Sequence, residues 1–254
     1  VSYYPNYYFE KYEFISKYFG AVSKELNKNY DWLFIYADNI DKIFQEQNKL
    51  KEHQFNTYNF LDAFVSVSDM FKTIKRANKI YSKFNKLDTT NLFYFHDVNC
   101  FDIVIDDWKK SISSILIDTM IFEIKFENFL KYYDHNEIIY LMEYQPWEDM
   151  LNKIASKQNI CTKGVTHSVI RPNLMNYHHD KLTHCYMNIP AFIGSNSPLC
   201  DVIFEQNGFR KEQIKHIEAQ RFNYLAEIEQ VNNESTKNLL ITTSIDHEET
   251  EELL

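Results

Sequence analysis

Three short stretches of the chain hold residue types that can move a proton or hold an anion. They are Glu143-Tyr144-Gln145-Pro146-Trp147-Glu148, Thr166-His167-Ser168 with Arg171 and Pro172, and Glu218-Ala219-Gln220-Arg221-Phe222. Histidine is the side chain whose ordinary pKa suits proton transfer near neutrality. Arginine offers a planar, permanently charged fork that matches a carboxylate or a phosphate. On these grounds Glu143 and Gln145 are candidates to hydrogen-bond a hydroxyl-rich ligand, while Glu148 reads as a cap and Trp147 as packing. His167 is a candidate acid–base group against the plainer reading of a structural histidine, with Ser168 beside it and Arg171 as an anion contact. Arg221 reads equally as a cleft residue or as one half of an ordinary ion pair. A fourth stretch, Ser195-Asn196-Ser197, could offer turn N–H groups and Asn196 to an anion, although helix capping explains it as well. The only glycine near it is Gly194, and neither GxGxxG nor GxxxxGK[ST] occurs. His178, His179 and His184 lack a matched carboxylate set, so neither a metal nor a cofactor is expected.

The elements that must position these residues are legible from hydrophobic periodicity. Ile138 to Met142 reads as a short buried strand, and Pro146 stands where a helix starts, followed by early acids that suit its dipole. Ile160 to Thr166 is the next strand, which makes a βαβ unit with a parallel pair. A second unit follows: strand 190–195, helix 197–207 closed by Gly208, and strand 214–218. Ligands of a parallel sheet bind beyond the carboxyl ends of its strands, where all the candidates fall. Upstream, the spacing predicts an amphipathic helix over 3–26, a buried strand over 31–38 and a polar helix over 40–52. It further predicts one long helix or two short ones over 58–84, a loop or short strand over 88–99, and a heavily buried helix over 107–133. Residues 238–243 read as a strand and the acidic end as the start of a helix, so the chain is expected to be a fragment of something longer.

Composition bounds the function. The 254 residues include 20 Phe and 18 Tyr but only 4 Gly and 5 Pro, which argues against an all-β chain full of tight turns. A formal net charge of −9 disfavours non-specific nucleic-acid binding. Four cysteines without CxxC pairing fit reduced thiols and a cytoplasmic location. No apolar run is long enough for a membrane-spanning helix. The basic stretch Lys72 to Lys86, interleaved with apolar residues, could lie on anionic lipid at the inner face of a membrane, or be a solvated helix face.

Together, DDWKKS (106–111), EYQPWE (143–148), THSVIRPNLMNY (166–177) and IEAQRFNYL (217–225) resemble the surface carbohydrate biosynthesis proteins of O-antigen and lipopolysaccharide gene clusters. That family's pattern has E-x-Q-x-W-E, then G-x-x-H-S-x-x-R, then a strand and a helix ending in Gly, then E-A-x-R-Y/F. The blocks occur here in that order over about residues 90–225. The chain departs at Ser195-Asn196-Ser197, where the family tends to have Asn-Gly. The resemblance implies an α/β, Rossmann-like parallel sheet flanked by many helices, the N-terminal domain of a GT-B glycosyltransferase layout. Residues 1–230, helix-rich in 1–135, are then the acceptor-side domain, and 231–254 the linker and first strand and helix of a truncated donor domain. The implied activity is transfer of a sugar from a nucleotide-sugar donor to a glycan acceptor. His167 or Glu143 would take the hydroxyl proton, and Arg171 and Arg221 would face the leaving diphosphate. Residues 1–254 alone are expected to turn nothing over. The competing expectations are a UDP-sugar 2-epimerase-like enzyme and a non-catalytic binding protein of envelope assembly.

Overall fold

A computed structural model describes residues 6–35, 40–55, 57–87, 94–95, 97–168, 170, 177–179 and 188–227. The chain divides into a unit of Val1–Tyr224 and a second of Leu225–Leu254. The predicted strand and helix of 238–254 lie outside the described residues.

The architecture is mixed α/β. At its centre is a four-stranded sheet of β7 (Glu137–Leu141), β8 (Cys161–Val165), β9 (Phe192–Ser195) and β10 (Ile214–His216). Its order is β10-β9-β8-β7 and every neighbouring pair is parallel. Parallel neighbours need long crossovers, and α6 (Pro146–Lys157) and α7 (Pro198–Gln206) supply two of them. Both helices begin with proline at the first turn, where a missing N–H costs nothing. The helix α7 ends at Gln206, and Gly208 follows in the left-handed region at φ +94°.

The strand β7 is buried on both faces, and its alternation sorts the core. Ile138, Tyr140 and Met142 join Trp147, Leu151 and Ile154 of α6 and Phe126 and Phe129 of α5 (Ser114–Tyr132) in one apolar cluster. Leu141, with Ile139 against it, joins the opposite cluster of Tyr7, Phe14, Trp32, Phe34 and Phe60. A second parallel pair, β3 (Trp32–Phe34) and β4 (Tyr58–Phe60), is joined through α2 (Ile40–Glu52) and sends alternate residues to the same two clusters. Period-2 alternation between two apolar layers is the signature of strands covered on both sides. The high aromatic content of the chain is spent largely here: Phe14 stacks on Phe55 at 4.6 Å between centroids, and Tyr7 lies 4.9 Å from Phe14.

Three upstream expectations are corrected. The predicted helix over 3–26 is instead an antiparallel hairpin, β1 (Tyr7–Glu10) and β2 (Glu13–Ser16), followed by a 3₁₀ turn and the short α1 (Ser23–Asn29). Aromatic residues here have a spacing compatible with either period, and pairing over a hydrophobic face decided for strands. The stretch 58–84 opens with β4, and its helix α3 starts only at Val67. Ser66 stops the helix from extending backwards: its Oγ accepts from Asp69 N at 3.1 Å, and Asp69 Oδ2 accepts from Ser66 N at 3.1 Å. The predicted helix 107–133 is two helices, α4 (Phe101–Ser111) and α5, broken at Ile112 and Ser113. The loop before α4 holds a two-residue hairpin, β5 (Tyr94–Phe95) with β6 (Val98–Asn99).

Candidate active site

The strands β7 and β8 end side by side, so the residues that follow them emerge as neighbours. Glu143 lies two residues beyond β7, and His167 two residues beyond β8. Main-chain bonds carry the register past the strand ends: Met142 N donates to Val165 O at 2.8 Å, and Thr166 N to Gly194 O at 2.9 Å. The two side chains meet, with His167 Nε2 3.1 Å from Glu143 Oε1. The histidine side chain is only 9% exposed, whereas the glutamate is 36% exposed. The other ring nitrogen, Nδ1, is buried and finds no hydrogen-bond partner among the described residues.

Burial lifts the Glu143 carboxyl above its usual range. Burial, and then the positive charge of Arg221, hold His167 below the usual imidazole value. Both shifts favour the neutral forms, as expected when desolvation outweighs mutual attraction. His167 Nε2 and Glu143 Oε1 lie within hydrogen-bond reach, and an Nε2–H of the imidazole would donate to the carboxylate, which can only accept.

The backbone under Glu143 is fixed by Glu148, in the first turn of α6. Its Oε1 accepts from Glu143 N at 2.8 Å and from Gln145 N at 3.0 Å, and its Oε2 accepts from Tyr144 N at 3.0 Å. Three consecutive N–H groups on one buried carboxylate make the turn rigid, and Tyr144 sits in it at φ +57°. Burial pushes Glu148 up to about 7 despite those three bonds. The sequence reading of Glu148 as a cap holds in kind, but its reach over residues 143–145 is the more important role. Trp147 packs as read, edge-on to Tyr140 at 5.8 Å between centroids.

A wall of the site comes from the amino-terminal segment. The Tyr18 ring stands edge-on to the His167 ring at 4.8 Å, and the Arg221 guanidinium lies 5.8 Å from the Tyr18 centroid. Gly20 permits this approach: it adopts φ +53°, and a Cβ there would fall 2.5 Å from the carbonyl oxygen of Gln220. Arg221 itself is exposed. Neither Tyr18 nor Gly20 was legible as a site residue, because the chain before β7 gives no hint of the strand ends it covers.

The remaining candidates fall around this pair. Asn196 Nδ2 donates to Ser168 O at 2.8 Å and ties the turn after β9 to the turn after β8. Gln145 is exposed at the start of α6, and Ser168 is exposed. Arg171 lies outside the described residues, as does His184. His179 is buried and stacks on Phe209 at 5.2 Å, a packing role. The thiols of Cys100, Cys161 and Cys200 are free, and Cys185 lies outside the described residues. A cavity of about 540 Å³ lies at the amino ends of β3 and β7, lined among others by Tyr30, Asp31, Asn136 and Glu137. It is at the other end of β7 from Glu143 and takes no part in the site.

Comparison of the chain with known proteins adds nothing to this geometry. No family model, no curated protein and no solved structure matches it. The function is therefore argued from the site itself.

Proposed function

We propose that Val1–Tyr224 is the acceptor-side domain of a GT-B-type glycosyltransferase of surface carbohydrate biosynthesis, taking a sugar from a nucleotide-sugar donor to a glycan acceptor. The observation that carries this reading is the Glu143–His167 contact at the carboxyl edge of a parallel sheet. Such an edge is where parallel α/β sheets bind ligands. A carboxylate raised by partial burial, and held by a neutral imidazole, suits removal of a proton from a hydroxyl.

We assign separately the two roles that spacing left together. Glu143 is the group a hydroxyl can reach, so it is the base. His167 is shielded behind it and acts through it, as a positioning residue that fixes the carboxylate's orientation. Arg221, exposed beside Tyr18, would offset the negative charge that develops on a departing diphosphate. The donor nucleotide would rest mainly on a second α/β domain facing this edge, and Arg171 belongs to the same reading by its place in the sequence.

The test is calorimetric titration of the chain with neutral oligosaccharides, nucleoside diphosphates and UDP-sugars. The reading expects a saccharide to bind, and Glu143→Gln to weaken it at least tenfold. Binding indifferent to Glu143, His167 and Arg221, or no binding by any of the three classes, removes it. Conversion of a UDP-sugar to its 2-epimer with no acceptor present would instead select an epimerase.

A further inference from the structure

The helix α3 (Val67–Phe84) shows two different sides. Thr73 and Ala77 are buried, Ile80 and Phe84 half-buried, and they share the face that meets α5. On this side Arg76 reaches across to Glu123 of α5 at 3.1 Å, with Lys153 of α6 3.0 Å from the same carboxylate. The helix is thereby clamped to the body of the unit.

Away from that face, Val67, Met70, Phe71, Ile74 and Tyr81 recur at helical spacing and are all exposed, Val67 and Phe71 each to 70%. Intervals of three, one and three residues put Val67, Met70, Phe71 and Ile74 in one stripe, which Asn78 interrupts before Tyr81. Lys72, Lys75, Lys79 and Lys83 are all exposed and form a ridge on the polar side of the helix, roughly 140° around the axis from the stripe. Within α3 five basic residues stand against one acid, Asp69, in a chain whose formal net charge is −9. A local reversal of charge along an uncovered apolar stripe is what distinguishes this surface from an ordinary solvated helix.

We propose that this outer side of α3 docks in the plane of an anionic lipid bilayer. The apolar stripe enters the boundary between headgroups and acyl chains, and the lysine ridge meets the anionic headgroups. Among the described residues no helix is long and apolar enough to cross a membrane, so the contact is peripheral. Charge complementarity selects this occupant. An apolar side opposite a lysine-rich one is the arrangement of helices that lie in an anionic interface, and a neutral apolar partner would leave the ridge without a role. The proposal does not depend on the reading of the Glu143–His167 site.

The experiment is co-sedimentation of the 254-residue chain with vesicles of phosphatidylcholine alone, or of phosphatidylcholine containing one quarter phosphatidylglycerol, at low and high salt. The chain is expected to bind the anionic vesicles at low salt, and at least about tenfold more weakly when either the anionic lipid or the low salt is withdrawn. Lys72→Glu with Lys75→Glu and Lys79→Glu, and separately Phe71→Ser with Ile74→Ser, each lower partitioning by about tenfold or more while leaving the circular dichroism unchanged. Absence of binding by the unaltered chain, equal binding to both vesicle types, or binding retained in both variants overturns the proposal. So does a dimer in sedimentation velocity that Phe71→Ser disperses, because it assigns the stripe to self-association. The lipid and salt dependence of the unaltered chain decides the matter even if a variant misfolds.

Discussion

Glu143 and His167 leave neighbouring parallel strands and meet through Oε1 and Nε2 at 3.1 Å, the glutamate toward solvent and the imidazole behind it. Burial first, and then the positive charge of Arg221, hold the imidazole below its ordinary value. Arg221→Gln is therefore expected to raise the His167 pKa, while burial still keeps it below that of a free imidazole. The folded value lies below the unfolded one, so the stability contributed is present above about pH 6.5 and is lost as pH falls through the folded value. A histidine ring titration followed by NMR checks both points; an unchanged or lower value in Arg221→Gln would refute the assigned cause.

Glu148 titrates with the opposite sign. Its folded value of about 7 lies above its unfolded value near 4.5, so the folded chain holds the extra proton between those limits. Stability should fall as pH rises through that window, by roughly 3 kcal/mol at most for a shift of this size. Glu148→Gln, which cannot titrate, should abolish this slope. Denaturant melts at pH 5 and pH 8 measure both effects, and a slope unaltered in the variant would place its origin elsewhere.

Gly20→Ala tests the wall of the site. The substitution puts a Cβ at a left-handed residue and against the carbonyl of Gln220. We expect a loss of roughly 2–4 kcal/mol, from backbone strain plus the clash. Because Gln220 precedes Arg221, the His167 pKa should rise in the same variant. Lost stability with an unmoved His167 would show that the contact is structural only.

How far this site could be read in advance depended on which residues carry their own local signal. The βαβ units after residue 136 were legible because short apolar runs alternate with capped, proline-opened helices, and the pairing of β7 with β8 follows from that alone. Glu143, His167 and Asn196 were legible as strand-end residues for the same reason. The aromatic-rich opening was not, since Phe9, Phe14 and Tyr18 fit a helical spacing as well as a hairpin's, and only cross-strand pairing decides. The box of Ser66 and Asp69 was a readable start signal for α3 that the apolar periodicity of 58–84 hid. The division of labour between Glu143 and His167 depends on which one faces solvent, a property of tertiary packing that spacing does not encode.

Trp147 links the site to the core, packed on Tyr140 and Phe126 directly before Glu148. Trp147→Ala should cost about 3–5 kcal/mol, as large-to-small changes of buried aromatics do. For a domain of this size that lowers Tm by roughly 6–20 °C. Thermal melts give the value, and a loss below about 1 kcal/mol would mean that the indole is not part of a close-packed core.

The protonation of His167 at pH 7 tests the central claim most directly, and long-range ¹H–¹⁵N correlation spectra of the imidazole report it. The account predicts a neutral ring with its proton on Nε2, donated to the Glu143 carboxylate, and a change in the Nε2 signal in Glu143→Gln. An imidazolium, a proton on Nδ1, or spectra identical in the two proteins would contradict it.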